Sequence, residues 1–259
     1  MKIWKWLLPS VLMLFLAGCF DINEEIDIKS NGSGIMKCNY DMGQLLDIMQ
    51  TYVGKDEMDK QMPRDKMDTT ILMKSLVDTA KDIPADKKAL FRDGTMHMKL
   101  DMTQKIFKFD MYFPFANMND LQKLYTSISD GSLGANKLFK GLAGGKGDSM
   151  SANQNSQMPD IGQFNGIYKF ESKEGLISRK LNADKWKEFQ NSSQFEQMKQ
   201  VGSMGMEVPY TMTVNLPRPL KKIDNSLAVI SEDKKTITIK YNLAEVFDHP
   251  EKFEYTIAY

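Results

Sequence analysis

Apolar and polar positions alternate in several stretches of the chain, with the period of two that sets successive side chains on opposite faces of a strand. Ile26 and Ile28 alternate with polar neighbours over residues 24–29, and Met36, Cys38 and Tyr40 share one face of 35–40. Asn31-Gly32-Ser33-Gly34 lies between them and predicts a β-hairpin with a glycine-containing turn. A clearer hairpin follows: Met96, Met98, Leu100 and Met102 line one face of 95–102, and Phe107, Phe109, Met111 and Phe113 line one face of 105–113. Residues 101–104 make its turn, and Pro114 stops the second strand or confines it to a sheet edge. Strands are also predicted over 164–171 and 175–181, joined by Lys173-Glu174-Gly175. The C-terminal stretch reads as antiparallel strands over 206–216, 226–230, 236–241 and 252–258. Pro217 and Pro219 end the first of these, and Asp233-Lys234-Lys235 turns into the third.

Between the hairpins the apolar spacing changes to that of helices. Leu45, Leu46, Met49 and Val53 mark a helix over 42–53; Leu121, Leu124, Tyr125 and Ile128 mark one over 118–128. Ile71, Leu72, Leu76, Val77 and Ala80 predict another, with Asp68-Thr69-Thr70 as N-cap candidates. A fourth spans 183–201 with Trp186, Phe189, Phe195 and Met198, and a short helical turn falls near 243–247. The order is two strands and a helix, three times over, then more strands. That order predicts an α+β fold, with an antiparallel β-sheet built from hairpins and helices packed on one face. Residues 54–66 are polar, and 141–162 are built from Gly, Ser, Asn, Gln and Asp, the composition of a flexible loop. The domain reading is a single α+β domain over 19–259 with that loop inside it, or two subdomains split there.

The first residues follow neither pattern. Lys2 and Lys5 precede an apolar run over 6–17, too short for a bilayer, which needs about 20 residues. The run fits the apolar region of a secretory signal and ends in Leu16-Ala17-Gly18-Cys19. This segment resembles a bacterial lipobox. The resemblance implies a signal peptide over 1–18, a diacylglycerol on the Cys19 sulfur, cleavage ahead of Cys19, and acylation, such as palmitate, on its amine. It places the protein in the bacterial cell envelope, lipid-anchored to a membrane on its periplasmic or surface face. Each buried methylene contributes about 0.8 kcal/mol, so two or three chains on one residue hold firmly where one does not.

Charge supports that emphasis on lipid. The 34 basic and 34 acidic residues cancel, against the basic excess of a nucleic-acid binder. Two lysines leave with the signal, so the mature chain turns mildly acidic and gains nothing from anionic headgroups. Asp21, Asn23, Glu24 and Glu25 then read as a polar tether holding the domain off the membrane, or as a sorting mark for the cell surface. Of the 2 cysteines, Cys38 has no partner once Cys19 carries lipid, and its strand setting predicts a buried structural thiol.

The sequence carries no catalytic signature. The chain holds 2 histidines, His97 and His249, and no His-Glu-x-x-His or Gly-x-Ser-x-Gly. Gly147-Asp148-Ser149 resembles the start of a hydrolase motif but falls in the polar loop, and the glycines of 141–147 lack phosphate-loop spacing. The carboxylate pairs Asp65/Asp68 and Glu24/Glu25 have no apolar cleft around them to tune an acid. Lys87-Lys88 and Lys221-Lys222 read as solvated surface. The 20 methionines stand out. Met96-His97-Met98 and Met204-Gly205-Met206 have the soft character of Cu(I) ligands, but the alternation predicts Met as adaptable core filler. No cofactor or metal site is assigned.

A second resemblance is carried by the lipobox, by the Asn31-Gly32-Ser33-Gly34 strand end, and by Val214-Asn215-Leu216-Pro217 followed by the alternating run 234–242. In these the chain is similar to LppM-like bacterial lipoproteins. That resemblance implies an α+β module with lipid or glycolipid affinity and no enzyme activity, and it carries over no binding residues. The expected function is a non-enzymatic envelope lipoprotein binding an apolar, lipid-like ligand or an envelope partner protein. The alternative is a structural or assembly lipoprotein without a small ligand. An envelope hydrolase or a Cu(I)-binding protein is the remote one.

Overall fold

Alternating burial makes a spine of strand β1 (Phe20–Ile28): Ile22, Glu24, Ile26 and Ile28 face inward, and Asp21, Asn23, Glu25 and Asp27 face outward. The computed structural model describes residues 20–44, 46, 66–80, 83–129, 166–193, 195, 196, 199 and 207–259. After β1 the chain reverses through 29–33, where Lys29 N–H donates to the Ser33 carbonyl at 2.8 Å and Gly32 adopts a φ of 79°. Glycine takes that left-handed conformation without a Cβ penalty. Strand β2 (Gly34–Met42) returns antiparallel, with Gly34 opposite Ile28. A Cβ on Gly34 would run into the Asp27 carbonyl oxygen and the Phe115 ring.

The chain continues as β3 (Lys66–Leu72), α1 (Met73–Thr79), α2 (Ala85–Phe91), β4 (Thr95–Asp101), β5 (Ile106–Phe115) and α3 (Met118–Ser129). Then come β6 (Tyr168–Lys173), β7 (Leu176–Leu181), α4 (Ala183–Gln190), β8 (Pro209–Asn215), β9 (Lys222–Ile223), β10 (Ala228–Ile230), β11 (Thr236–Asn242) and β12 (Tyr255–Ala258). The strands form an eight-stranded sheet, β10-β11-β8-β1-β2-β5-β4-β3, and a four-stranded sheet, β6-β7-β12-β9. The fold is α+β. All pairs are antiparallel except β1 with β8, where Ile22 lies opposite Tyr210 and Ile26 opposite Val214. An all-antiparallel sheet holds for strands joined by hairpins. β8 arrives by a long connection, which leaves both directions open.

Helices and the smaller sheet cover the same face of the large one. Met73 and Val77 of α1, Phe91 of α2, and Leu121, Leu124 and Tyr125 of α3 are buried there, in one core with Ile177, Tyr255 and Ile257 of the small sheet. Methionine fills much of it: Met36, Met96, Met98 and Met212 are at most 2% exposed, as the alternation predicts. The polar stretch 141–162 lies outside the described residues, but the chain on its two sides packs together. Tyr125 stacks on Phe170 with ring centres 4.0 Å apart, and Ser172 N–H donates to Gln122 Oε1 at 3.1 Å.

Several elements differ from the sequence reading. Residues 66–72 form edge strand β3 rather than the start of a helix, so α1 begins at Met73 with Leu72 at its N-cap and no side-chain cap. Asp68 caps nothing and pairs instead with His97 across the sheet. The alternation of Met67, Thr69 and Ile71 toward β4 outweighs the helical spacing of Ile71 and Leu72. Helix α2, strand β9 and the 3-10 turn Pro250–Phe253 have no counterpart in the pattern reading. Of the helix read over 42–53, Met42 instead ends β2, Gly43, Gln44 and Leu46 are helical, and residues 45 and 47–53 lie outside the described residues. Pro114 lies inside β5, but β4 begins only opposite Tyr112, so Pro114 pairs on its β2 side alone, opposite Ile35.

Candidate functional site: a buried Glu–Arg–Tyr cluster and a polar sheet face

The most unusual chemistry is inside. Glu24 shares the inward face of β1 with Ile22 and Ile26 and is 5% exposed, while Arg179 shares the inward face of β7 with Ile177 and is fully buried. Glu24 Oε2 accepts from the Tyr210 hydroxyl and, at 3.4 Å, from Tyr125. Arg179 Nη1 donates to the Tyr241 hydroxyl at 3.2 Å, and its guanidinium carbon sits 4.2 Å from the centre of the Tyr168 ring. Tyr255 lies directly opposite Arg179 in the β7–β12 ladder. Glu24 Oε1, Arg179 Nε and Nη2, and the Tyr255 hydroxyl have no hydrogen-bond partner among the described residues.

Burial sets the proton affinities. It pushes the Glu24 carboxyl above its ordinary range, against the opposing pull of Arg179 and the Tyr210 and Tyr125 hydrogen bonds. Burial also works against the Arg179 charge, but the phenols of Tyr125, Tyr241, Tyr210 and Tyr168 outweigh it, and the guanidinium stays protonated. Tyr241 is pushed up to about 12, so it remains a neutral phenol. The cluster joins the two sheets by polar contacts and presents no atom to a substrate from outside. Its chemistry is that of a fastener: one buried cation, one buried carboxyl and the phenols between them.

The opposite face of the large sheet is solvated and polar. One register row crosses all eight strands, from Leu72 at one edge through Tyr112, Lys37 and Glu25 to Thr238 and Val229 at the other. Lys37 bridges Asp27 at 2.7 Å and Glu25 at 3.2 Å. His97 Nε2 lies 2.7 Å from Asp68 and Nδ1 3.5 Å from Asp110, whose other oxygen accepts from Asn39 at 2.8 Å. Both imidazole nitrogens therefore face carboxylates on an open sheet surface. The Asp68 hydrogen bond draws the His97 pKa up and its own carboxyl down. Met96 and Met98 point inward as His97 points outward, so the three do not converge on one ion. Among the described residues no three His, Cys, Asp or Glu side chains are grouped to hold a metal. His249 pairs with Glu251 at 3.3 Å on the surface.

The acidic segment after Cys19 is not a tether but part of the sheet. Asp21, Asn23, Glu24 and Glu25 belong to a central strand, and Glu24 is in the core, so they form no polar tether. The signal that marks Glu24 is its phase with Ile22, Ile26 and Ile28; Arg179 is in phase with Ile177 and Leu181 in the same way. Glu24 and Glu25 face opposite sides and form no carboxylate pair. Cys38 is free, buried and 3% exposed, in line with a structural thiol. Cys19, Asp65, Met204 and the glycines of 141–147 lie outside the described residues. Among the described residues no helix is long and apolar enough to cross a membrane.

What these features define is an α+β domain with one packed face and one open, polar sheet face. No protein-family model, curated protein or solved structure matches the chain.

Proposed function

We propose that this chain is a lipid-anchored, non-enzymatic protein of the bacterial envelope that works by binding another envelope component. The observation that carries the reading is Leu16-Ala17-Gly18-Cys19 after a short apolar run, immediately ahead of Phe20, where β1 begins. With lipid on Cys19, the domain starts at the membrane with no linker. The binding surface follows from the packing. The inward face of the large sheet is filled by methionine and aromatic side chains, and its outward face and edges are open. These favour a macromolecular partner over an apolar ligand enclosed in the core.

Metabolic labelling of the full chain with an alkyne-tagged palmitate tests the anchor. The wild-type protein takes up label and sediments with membranes; Cys19→Ala loses both. Absence of label from wild-type protein that is exported and processed overturns the reading.

A further inference from the structure

The two sheets end side by side in short edge strands, β9 of the small sheet and β10 of the large one. Between them lies an open cleft of about 490 Å³, bounded by Leu220, Lys222 and Ile223 on one side and Ile230, Glu232 and Lys234 on the other. Leu220 N–H donates to the Lys234 carbonyl at 2.7 Å and closes its base. Natural sheet edges are usually protected against pairing by charges or proline. Edge strand β3 carries Lys66 and Asp68, whereas residues 226–231 around β10 have neither a charge nor a proline. Val229 is 69% exposed, Ile230 42% and Leu227 38%. Ser231 N–H donates to the Thr236 carbonyl at 2.9 Å, so by antiparallel alternation the backbone N–H and C=O of Ile230 point away from β11 toward the open side.

Charge selects the occupant. Lys221, Lys222 and Lys234 line the cleft against the single acid Glu232. Lys221 donates to the Tyr259 carbonyl at 3.2 Å, and neither Lys222 nor Lys234 has an acidic partner among the described residues. We propose that this cleft receives an extended segment of a partner protein, with acidic side chains alternating with apolar ones, which adds to β10 as a further strand. The ladder supplies affinity, Ile230 and Ile223 meet the apolar side chains, and the lysines meet the acids.

Position separates a protein partner from the lipid surface. Ile230 shares a register row with Ile237, Val214 and Ile26, six residues along β1 from Phe20, or roughly 20 Å at the rise of a strand. The cleft thus lies well along the strand from the end at which an anchored chain would meet its membrane. In this placement alone the inference rests on the anchored reading above.

The test uses the full-length protein in a neutral detergent and a fluorescent, capped probe of about eight residues alternating glutamate with valine. Polarisation should show saturable binding that weakens with salt and falls at least about tenfold in the Lys222→Glu/Lys234→Glu variant, whose fold is checked by circular dichroism. A lysine–valine probe should not bind. A backbone N-methylated glutamate–valine probe keeps the charge but cannot form the ladder, and it should lose binding. Equal binding of that probe would reduce the cleft to a patch of lysine charge and overturn strand addition. Failure of the glutamate–valine probe to bind folded wild-type protein overturns the proposal as well. The Cys19→Ala chain should bind the probe like wild type, and absence of lipid label from exported wild-type protein with peptide binding retained would condemn the anchor alone.

Discussion

Arg179 Nη1 donates to the hydroxyl of Tyr241 across 3.2 Å, and this bond joins the middle of the four-stranded sheet to the eight-stranded one. Glu24 completes the arrangement from β1 through Tyr210. A buried charge left without its partner is far more damaging than the absence of both. Arg179→Met should therefore lower unfolding free energy by about 3–5 kcal/mol in urea titrations. Adding Glu24→Leu to Arg179→Met should restore a large part of that loss. If the double variant were as unstable as the sum of the singles, the two groups would not be coupled.

Glu24 also sets a pH dependence. Its folded pKa is raised by burial, so the folded state holds the proton more tightly than the unfolded chain does. The stability it contributes is present below the ordinary carboxyl range and is lost as pH rises through the folded pKa. Glu24→Gln cannot titrate. The stability of wild type relative to Glu24→Gln should be greatest at low pH and decline as pH increases, measured as the difference between the two urea midpoints. A difference that grows with pH contradicts the assignment.

His97 gives a second pH signature on the solvated face. Its pKa is raised from 6.5, chiefly by the Asp68 hydrogen bond. Its contribution is present below 6.5 and disappears as pH rises through the folded value. The melting temperature of wild type should exceed that of His97→Gln on the acid side, with the gap closing above neutrality. Asp68→Asn should shrink the gap, and imidazole proton shifts in the wild type should report a midpoint above 6.5.

Gly34 is required by contact and not by its turn. A side chain there meets the Asp27 carbonyl and the Phe115 ring, where β1, β2 and β5 come together. Gly34→Ala should destabilise by at least about 1–3 kcal/mol, the range for overpacking a core. Enlarging the space with Phe115→Leu should recover part of it in the same thermal melts.

Cys38 tests the packing of β2. Burial pushes its thiol well up, which removes the reactive thiolate from the folded state. Thiol reagents should label Cys38 only at the rate of unfolding, and the label should appear together with the loss of near-ultraviolet dichroism. Fast labelling of folded protein would place the side chain at the surface.

Much of the architecture was legible because side chains on one sheet face declare themselves by phase. The β4–β5 hairpin, α3 and the strands flanking Gly175 follow the apolar pattern within a few residues. Residues 66–72 were not legible as a strand, because Ile71 and Leu72 fit both periods and only the β4 neighbour decides between them. The site was less legible than the fold. Glu24 and Arg179 are charged residues in apolar phase, and an acid near a lipid signal reads first as surface. The parallel pairing of β1 with β8 depends on residues 190 positions apart meeting, such as Glu25 and Asn215, and no local pattern encodes it.

Strand β1 begins at Phe20 and runs between β2 and β8 in the interior of the sheet. A force applied to the chain ahead of Phe20 acts along that strand and loads both hydrogen-bonded ladders at once, in shear. Peeling an edge strand breaks its bonds one after another; extracting β1 requires them to fail together. A chain held ahead of Phe20 would thus be gripped along a central strand, and tension applied there would be borne by two ladders together and not by a frayed end.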